Sequence, residues 1–117
     1  MFITKLCLED VAGTGKWVVM TPLMYRCDGR DIVVPAGFET DLASVPRAFR
    51  CYLDDDSPFI RAPSALHDYL YTSPGAFTRK SCDDILYSAM LESGATKIQA
   101  GIVYFAVRIF GHKYWRK

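Results

Sequence analysis

The run Met24-Tyr25-Arg26-Cys27-Asp28-Gly29-Arg30-Asp31-Ile32-Val33-Val34 decides how the first third of the chain folds. Asp-Gly stands between two segments of strand-forming residues. A two-residue hairpin turn that matches strand twist needs φ > 0 at both central positions, which Asp and Gly tolerate. The run therefore predicts antiparallel strands over Met24 to Cys27 and Arg30 to Val34. Toward the N-terminus, Lys16 to Met20 is β-branched and aromatic, Gly13-Thr14-Gly15 is a turn, and Phe2 to Leu8 sets Phe2, Leu6 and Leu8 at a period of two. These segments are expected to join in one small antiparallel sheet.

Toward the C-terminus, Pro35-Ala36-Gly37-Phe38 closes the hairpin. Glu39 to Ser57 is the least regular part, with Pro46, the acidic run Asp54-Asp55-Asp56 and Ser57-Pro58. It reads as a long ordered loop with one short helical turn near Pro46 to Phe49. Its apolar residues Leu42, Val45, Phe49 and Tyr52 argue against disorder, and such loops are usually functional when ordered. The remaining half predicts three helices. The first runs from Pro63, placed at N1 where a missing N–H costs nothing, to Tyr71. The second starts after a Thr78 cap, shows Cys82, Ile85, Leu86, Ala89 and Met90 on one face, and ends at Ser93-Gly94. The third covers about Thr96 to Phe110, where Ile98, Ile102, Phe105, Ala106 and Ile109 make a continuous apolar stripe, and Gly111 ends it. The expectation is one α+β domain over residues 1–117: a small N-terminal antiparallel sheet, a long ordered loop and three packed helices.

Composition narrows the function classes. Half of the 117 residues are hydrophobic and 14% are aromatic, ample for one core. A chain of this size buries roughly 65% of its unfolded surface and folds without staples. A net charge of +1 gives no electrostatic case for nucleic acid, and the basic-aromatic end His112-Lys113-Tyr114-Trp115-Arg116-Lys117 is too short to alter that. Cys7, Cys27, Cys51 and Cys82 form no C-x-x-C pair and no zinc spacing, and the N-terminus has no signal-peptide pattern. Reduced thiols and a reducing compartment follow as expectations. The apolar segment Ile102 to Phe110 contains Arg108 and falls far short of the roughly 20 residues that span a bilayer. Gly13-Thr14-Gly15-Lys16 lacks P-loop spacing and precedes a strand, and the triple aspartate lacks the alternation of a calcium loop.

The candidate chemistry lies on the helices. Ser64, His67, Asp68 and Tyr71 fall on one stripe of the first helix, beside Leu66 and Leu70 on the core-facing side. Polar groups in such positions are costly to bury unless hydrogen-bonded. At about 100° per residue, Asp83 borders the apolar face of the second helix, whereas Asp84 points to solvent. A short connection should pack the two helices antiparallel, so that His67 and Asp83 could meet. Such a pair fixes the imidazole tautomer in catalytic and metal sites. It equally serves as a structural lock between helices. Asp41 and Ser44 fit a local turn or cap before Pro46, or Asp41 points at the His67 stripe. Arg47 then pairs with Asp41 or binds an anionic group.

Four segments resemble a family of short proteins of unknown function encoded by tailed bacteriophages and prophages. They are VPAGFETDLASVPR (Val34 to Arg47), ALHDYLY (Ala65 to Tyr71), CDDILYSAM (Cys82 to Met90) and YFAVRIFG (Tyr104 to Gly111), together spanning two-thirds of the chain. The family pattern of a TD-x-A-S-x-P-R loop, an HD pair and a later aspartate maps onto Thr40, Asp41, Ser44, Pro46, Arg47, His67, Asp68 and Asp83. Cys82 stands where the family has alanine. The resemblance implies phage origin, and with it a location in the host cytoplasm, the virion or both, and gives no activity. A local likeness to secreted phospholipases, His-Asp-x-x-Tyr opposite Cys-Asp, lacks their calcium loop and disulfides and does not imply lipolysis.

Three functions fit these residues. One is a phage accessory protein with a hydrolase-like site, in which His67 is the base, Asp83 orients it, and Asp41 or Asp68 supplies a second carboxylate. Ser44, Arg47 and Tyr71 would orient the ligand there, and one divalent metal ion on Asp41, His67 and Asp68 is the cofactor such a set would take. The second is a non-catalytic tail-tip, baseplate or assembly component in which the same network is structural. The third is an inhibitor of a host defence protein. Other phage proteins or a host protein are the expected partners. Solvent access separates the first two, because a catalytic His67 needs an open pocket.

Overall fold

The computed structural model describes residues 1–13, 16–40, 58–72, 77–113 and 115. The expected turn near Pro46 to Phe49 and most of the loop before the first helix lie outside these residues. The strands are β1 (Leu8–Val11), β2 (Lys16–Val19), β3 (Leu23–Cys27), β4 (Arg30–Val34) and β5 (Glu39–Thr40). The helices are α1 (Pro58–Thr72), α2 (Arg79–Glu92) and α3 (Lys97–Phe110), followed by a 3-10 turn over Gly111–Lys113. The architecture is α+β, with antiparallel strands first and three helices after them.

The hairpin forms where Asp-Gly demands it. β3 and β4 pair from Leu23 with Val34 to Cys27 with Arg30. Asp28 and Gly29 have φ of 49° and 77°, the two left-handed positions of the turn. Leu23, Tyr25, Ile32 and Val34 are buried on one face, and Arg26 donates to Asp31 across the other, 2.8 Å from Nε to Oδ1.

The strands make two sheets rather than the single one expected. β1, β2 and β5 form a three-stranded antiparallel sheet in that order, and β3–β4 stand as a separate pair. The expected strand over Phe2 to Leu8 is also different: the ladder with β2 begins only at Leu8. The residues before it divide their hydrogen bonds between the sheets. Phe2 bridges Tyr25, the Ile3 amide donates to the Met24 carbonyl (2.8 Å), and the Met20 amide donates to the Cys7 carbonyl (2.8 Å). Period-two patterning assigns faces, not neighbours, so it could not separate the two sheets. Glu39 and Thr40, expected at the start of the loop, instead extend the first sheet opposite Val18 and Trp17.

Helix α1 starts five residues earlier than expected. Two prolines compete for the first turn, and Pro58 holds it, leaving Pro63 inside the helix. The cost is one backbone hydrogen bond that the missing N–H cannot make. Pro63 is buried, as are Ser64, Ala65, Leu66 and His67 after it. α2 packs against both α1 and α3. Val19, the β3–β4 face, Leu66, Leu70, Tyr71, Cys82 and Ile85 belong to one buried cluster. Leu86, Met90, Ala100, Val103 and Val107 form a second, between α2 and α3.

The third helix turns a different face inward than its stripe suggests. Ala100, Val103 and Val107 are buried together with Ala106, the one fully buried member of the expected stripe, whereas Ile98 is 76% exposed, Phe105 65% and Ile109 44%. Small side chains allow close approach to α2, and close packing outweighs the larger area of the bulky stripe.

Candidate functional site

Asp83 lies at the centre of a buried polar cluster. Its place in the first half of α2 follows from the Thr78 cap, whose side chain accepts from the Ser81 amide and fixes where that helix begins. The side chain points between α1 and α3. His67 Nε2 lies 2.7 Å from Asp83 Oδ1, and the Tyr71 hydroxyl donates to the same oxygen. Arg108 on α3 donates from Nη1 to Oδ2 at 2.8 Å. His67 and Tyr71 sit one helical turn apart on α1, so their rings meet at a tilt of 43° with centroids 4.1 Å apart and reach one carboxylate together.

Burial alone would raise the Asp83 pKa, but the hydrogen bonds from His67, Tyr71 and Arg108 outweigh it and hold the carboxyl below its ordinary value. An ionised carboxylate only accepts, so the proton between His67 and Asp83 sits on Nε2. Nδ1 of His67 is buried and has no partner among the described residues. Burial, followed by the hydrogen bond to Asp83, raises the Tyr71 hydroxyl. Burial and the neighbouring Asp83 charge push the Cys82 thiol up to about 12. Cys7, Cys27 and Cys82 are free thiols; Cys51 lies outside the described residues.

The other expected site residues are placed differently. Asp68 is not in the cluster: it turns toward β5 and accepts from the Thr40 hydroxyl at 2.6 Å. Asp41, Ser44 and Arg47 lie outside the described residues. Among the described residues no group of three His, Cys, Asp or Glu side chains is placed to hold a metal ion. At Asp83 the Arg108 guanidinium already supplies a positive charge.

Two arginines were missed from the sequence. Arg108 was noted only as an interruption of an apolar segment, yet a lone cation there is a signal that it meets a buried anion. Arg79 donates from Nη2 to the Val107 and Arg108 carbonyls, at 2.8 and 2.9 Å, and so caps the end of α3. Trp115 packs edge-on against Tyr71, with centroids 5.1 Å apart, which gives the basic-aromatic end a packing role.

The family model DUF1353, described as a protein of unknown function, matches residues 17–107. The chain belongs to DUF1353. The match begins in β2 and ends inside α3, so the DUF1353 region holds the hairpin, Thr40, His67, Asp68, Tyr71 and Asp83, but stops one residue before Arg108. No curated protein and no solved structure matches this DUF1353 chain. No helix among its described residues is long and apolar enough to cross a membrane.

Proposed function

We propose that this DUF1353 chain is a phage-encoded, non-catalytic virion or assembly component, in which the His67–Tyr71–Asp83–Arg108 network locks three helices. One observation carries this reading: both His67 and Asp83 are 0% exposed. A general base must come within hydrogen-bond reach of the proton it takes. A cleft of about 790 Å³ is lined among others by Phe2, Lys5, Leu6, Trp17 and Arg61, and His67 is not among the described residues that line it. The carboxylate is occupied by donors from two other helices, as in a polar network that locks helices together. The phage assignment rests on the PAGFETDLASVPR and HDYLY resemblance.

A second reading, a hydrolase-like site, draws on the unpartnered Nδ1 of His67. With Nε2 held by Asp83, that nitrogen has the orientation of a base. Thermal melts of wild type, His67→Ala and Asp83→Asn separate the two readings. If the network is structural, each variant leaves buried groups unpaired and loses roughly 2–4 kcal/mol, or about 5–15 °C in a domain of this size. A melting point near or above wild type in either variant favours a site, because active-site polar groups are held against stability. Mass spectrometry of purified virions from a lysate of the encoding phage tests the packaging half of the proposal.

A further inference from the structure

We propose that the exposed face of α3 binds a second copy of this chain, the two α3 helices packing antiparallel about a twofold axis. The proposal concerns self-association alone and stands whether or not the protein enters a virion.

Ile98, Ile102, Phe105 and Ile109 follow one another at steps of four, three and four, the spacing of a coiled-coil seam. The seam runs along the side of α3 away from α2. Ile98, Phe105 and Ile109 are exposed and Ile102 is half-buried. The spacing reads the same in both directions. Antiparallel pairing about the midpoint therefore sets Ile98 opposite Ile109 and Ile102 opposite Phe105, which is the self-complementarity a twofold interface requires.

Gly101 adds an independent argument. Glycine in the middle of a helix lowers its stability. A Cβ added at Gly101 would meet nothing within 4 Å, so packing within the chain does not require glycine there. Gly101, Tyr104, Phe105 and Arg108 instead line a shallow groove of about 330 Å³ beside the seam. In the antiparallel register, Phe105 of one copy sits at the level of Ile102 of the other, next to that groove. The same face thus carries both a projecting ring and the hollow that receives it.

The area is of the size needed. Taking ~150–250 Å² for a fully exposed large apolar side chain, the exposed parts of Ile98, Phe105 and Ile109 sum to about 300–450 Å². This is the size of the largest apolar patch on a typical monomer, roughly 300–600 Å², which is often functional. With a polar rim it approaches the ~800 Å² per partner of a standard interface. Lys97 and Arg108 are the only charged residues of α3, so little charge has to be desolvated.

Sedimentation velocity of the full chain tests the proposal. Wild type is expected to dimerise with a dissociation constant on the order of 10 µM, the weak end for such an area. Phe105→Glu and Ile98→Glu alter exposed side chains and should each weaken association by roughly 30-fold or more, with unchanged circular dichroism. Met20→Glu, an exposed apolar position on the sheet side, should leave it unchanged. Gly101→Ala should raise the melting temperature at dilutions where the protein is monomeric and yet weaken the dimer. Wild type that stays monomeric at about 100 µM, or a dimer indifferent to Phe105→Glu, overturns the proposal. If that monomer binds phosphatidylcholine vesicles through Phe105, the face meets lipid and the proposal likewise fails.

Discussion

Gly111 shows how little space the end of α3 leaves. Its φ of −69° is an ordinary helical value, so any residue could adopt the backbone there. The constraint is steric. A Cβ would lie 2.9 Å from the Tyr71 hydroxyl and 3.3 Å from Arg79 Nη2. Neither group is free to retreat: the Tyr71 ring is fully buried and its hydroxyl donates to Asp83, while Arg79 holds two carbonyls of α3. Gly111→Ala should therefore destabilise the protein by about 1–3 kcal/mol, the range for overpacking a filled site. Chemical denaturation would show a lower midpoint with an unchanged slope. A midpoint equal to wild type would mean that Tyr71 and Arg79 are less firmly held than their contacts indicate.

The elements show which signals in the sequence were legible. Thr78 caps α2 as expected, and Thr96, expected as the first residue of the third helix, instead caps α3. At Thr96 the cap is reciprocal: its hydroxyl accepts from the Gln99 amide (3.1 Å), and the Gln99 side chain accepts from the Thr96 amide (2.9 Å). Thr96→Ala should cost about 1 kcal/mol, seen as a drop of several degrees in melting temperature, and Thr96→Ser should restore most of it. The Asp28-Gly29 turn and the separation of Asp83 from Asp84 were equally readable, because turn chemistry and helical period are local. Asp84 is exposed and pairs with Lys80 one turn away (3.0 Å). What could not be read depends on neighbours. Hydrophobic size pointed to Ile98, Phe105 and Ile109 as the inner face of α3, whereas fit against α2 selected Ala100, Val103 and Val107, with Ala106 alone of the expected stripe fully buried. Pro63 marks a helix start only if no better proline precedes it, and Pro58 does. Arg108 lies 25 residues from Asp83, a distance over which no periodicity links two positions. Asp68 shares its helix stripe with His67, but Thr40 draws it away from the cluster.

At the scale of the whole molecule, Asp83 is the point where α1, α2 and α3 are tied together, so its ionisation should set how the protein responds to acid. Its carboxyl is held below the ordinary value of 3.8 in the folded chain, and unfolding releases it from His67, Tyr71 and Arg108. Between the two values the unfolded chain binds more protons than the folded one, and stability rises with pH. The contribution of Asp83 is thus fully present above about pH 4 and is lost as pH falls through the lowered folded value. The exposed Arg26–Asp31 pair acts in the same direction, but surface pairs contribute little. Melting temperatures of wild type and Asp83→Asn measured from neutral pH down to about pH 2.5 isolate the buried group. Wild type should be the more stable near neutrality, and the gap should close below about pH 4, where wild type loses the charge that the variant never had. A gap that stays constant to the lowest pH would show that Asp83 is not held ionised by its three donors. Because Asp83 joins all three helices, the loss should appear as one cooperative transition shifting to lower temperature, with helical and aromatic signals coincident. Separate melting of α3 would mean that the Arg108 contact does not couple it to the other two helices.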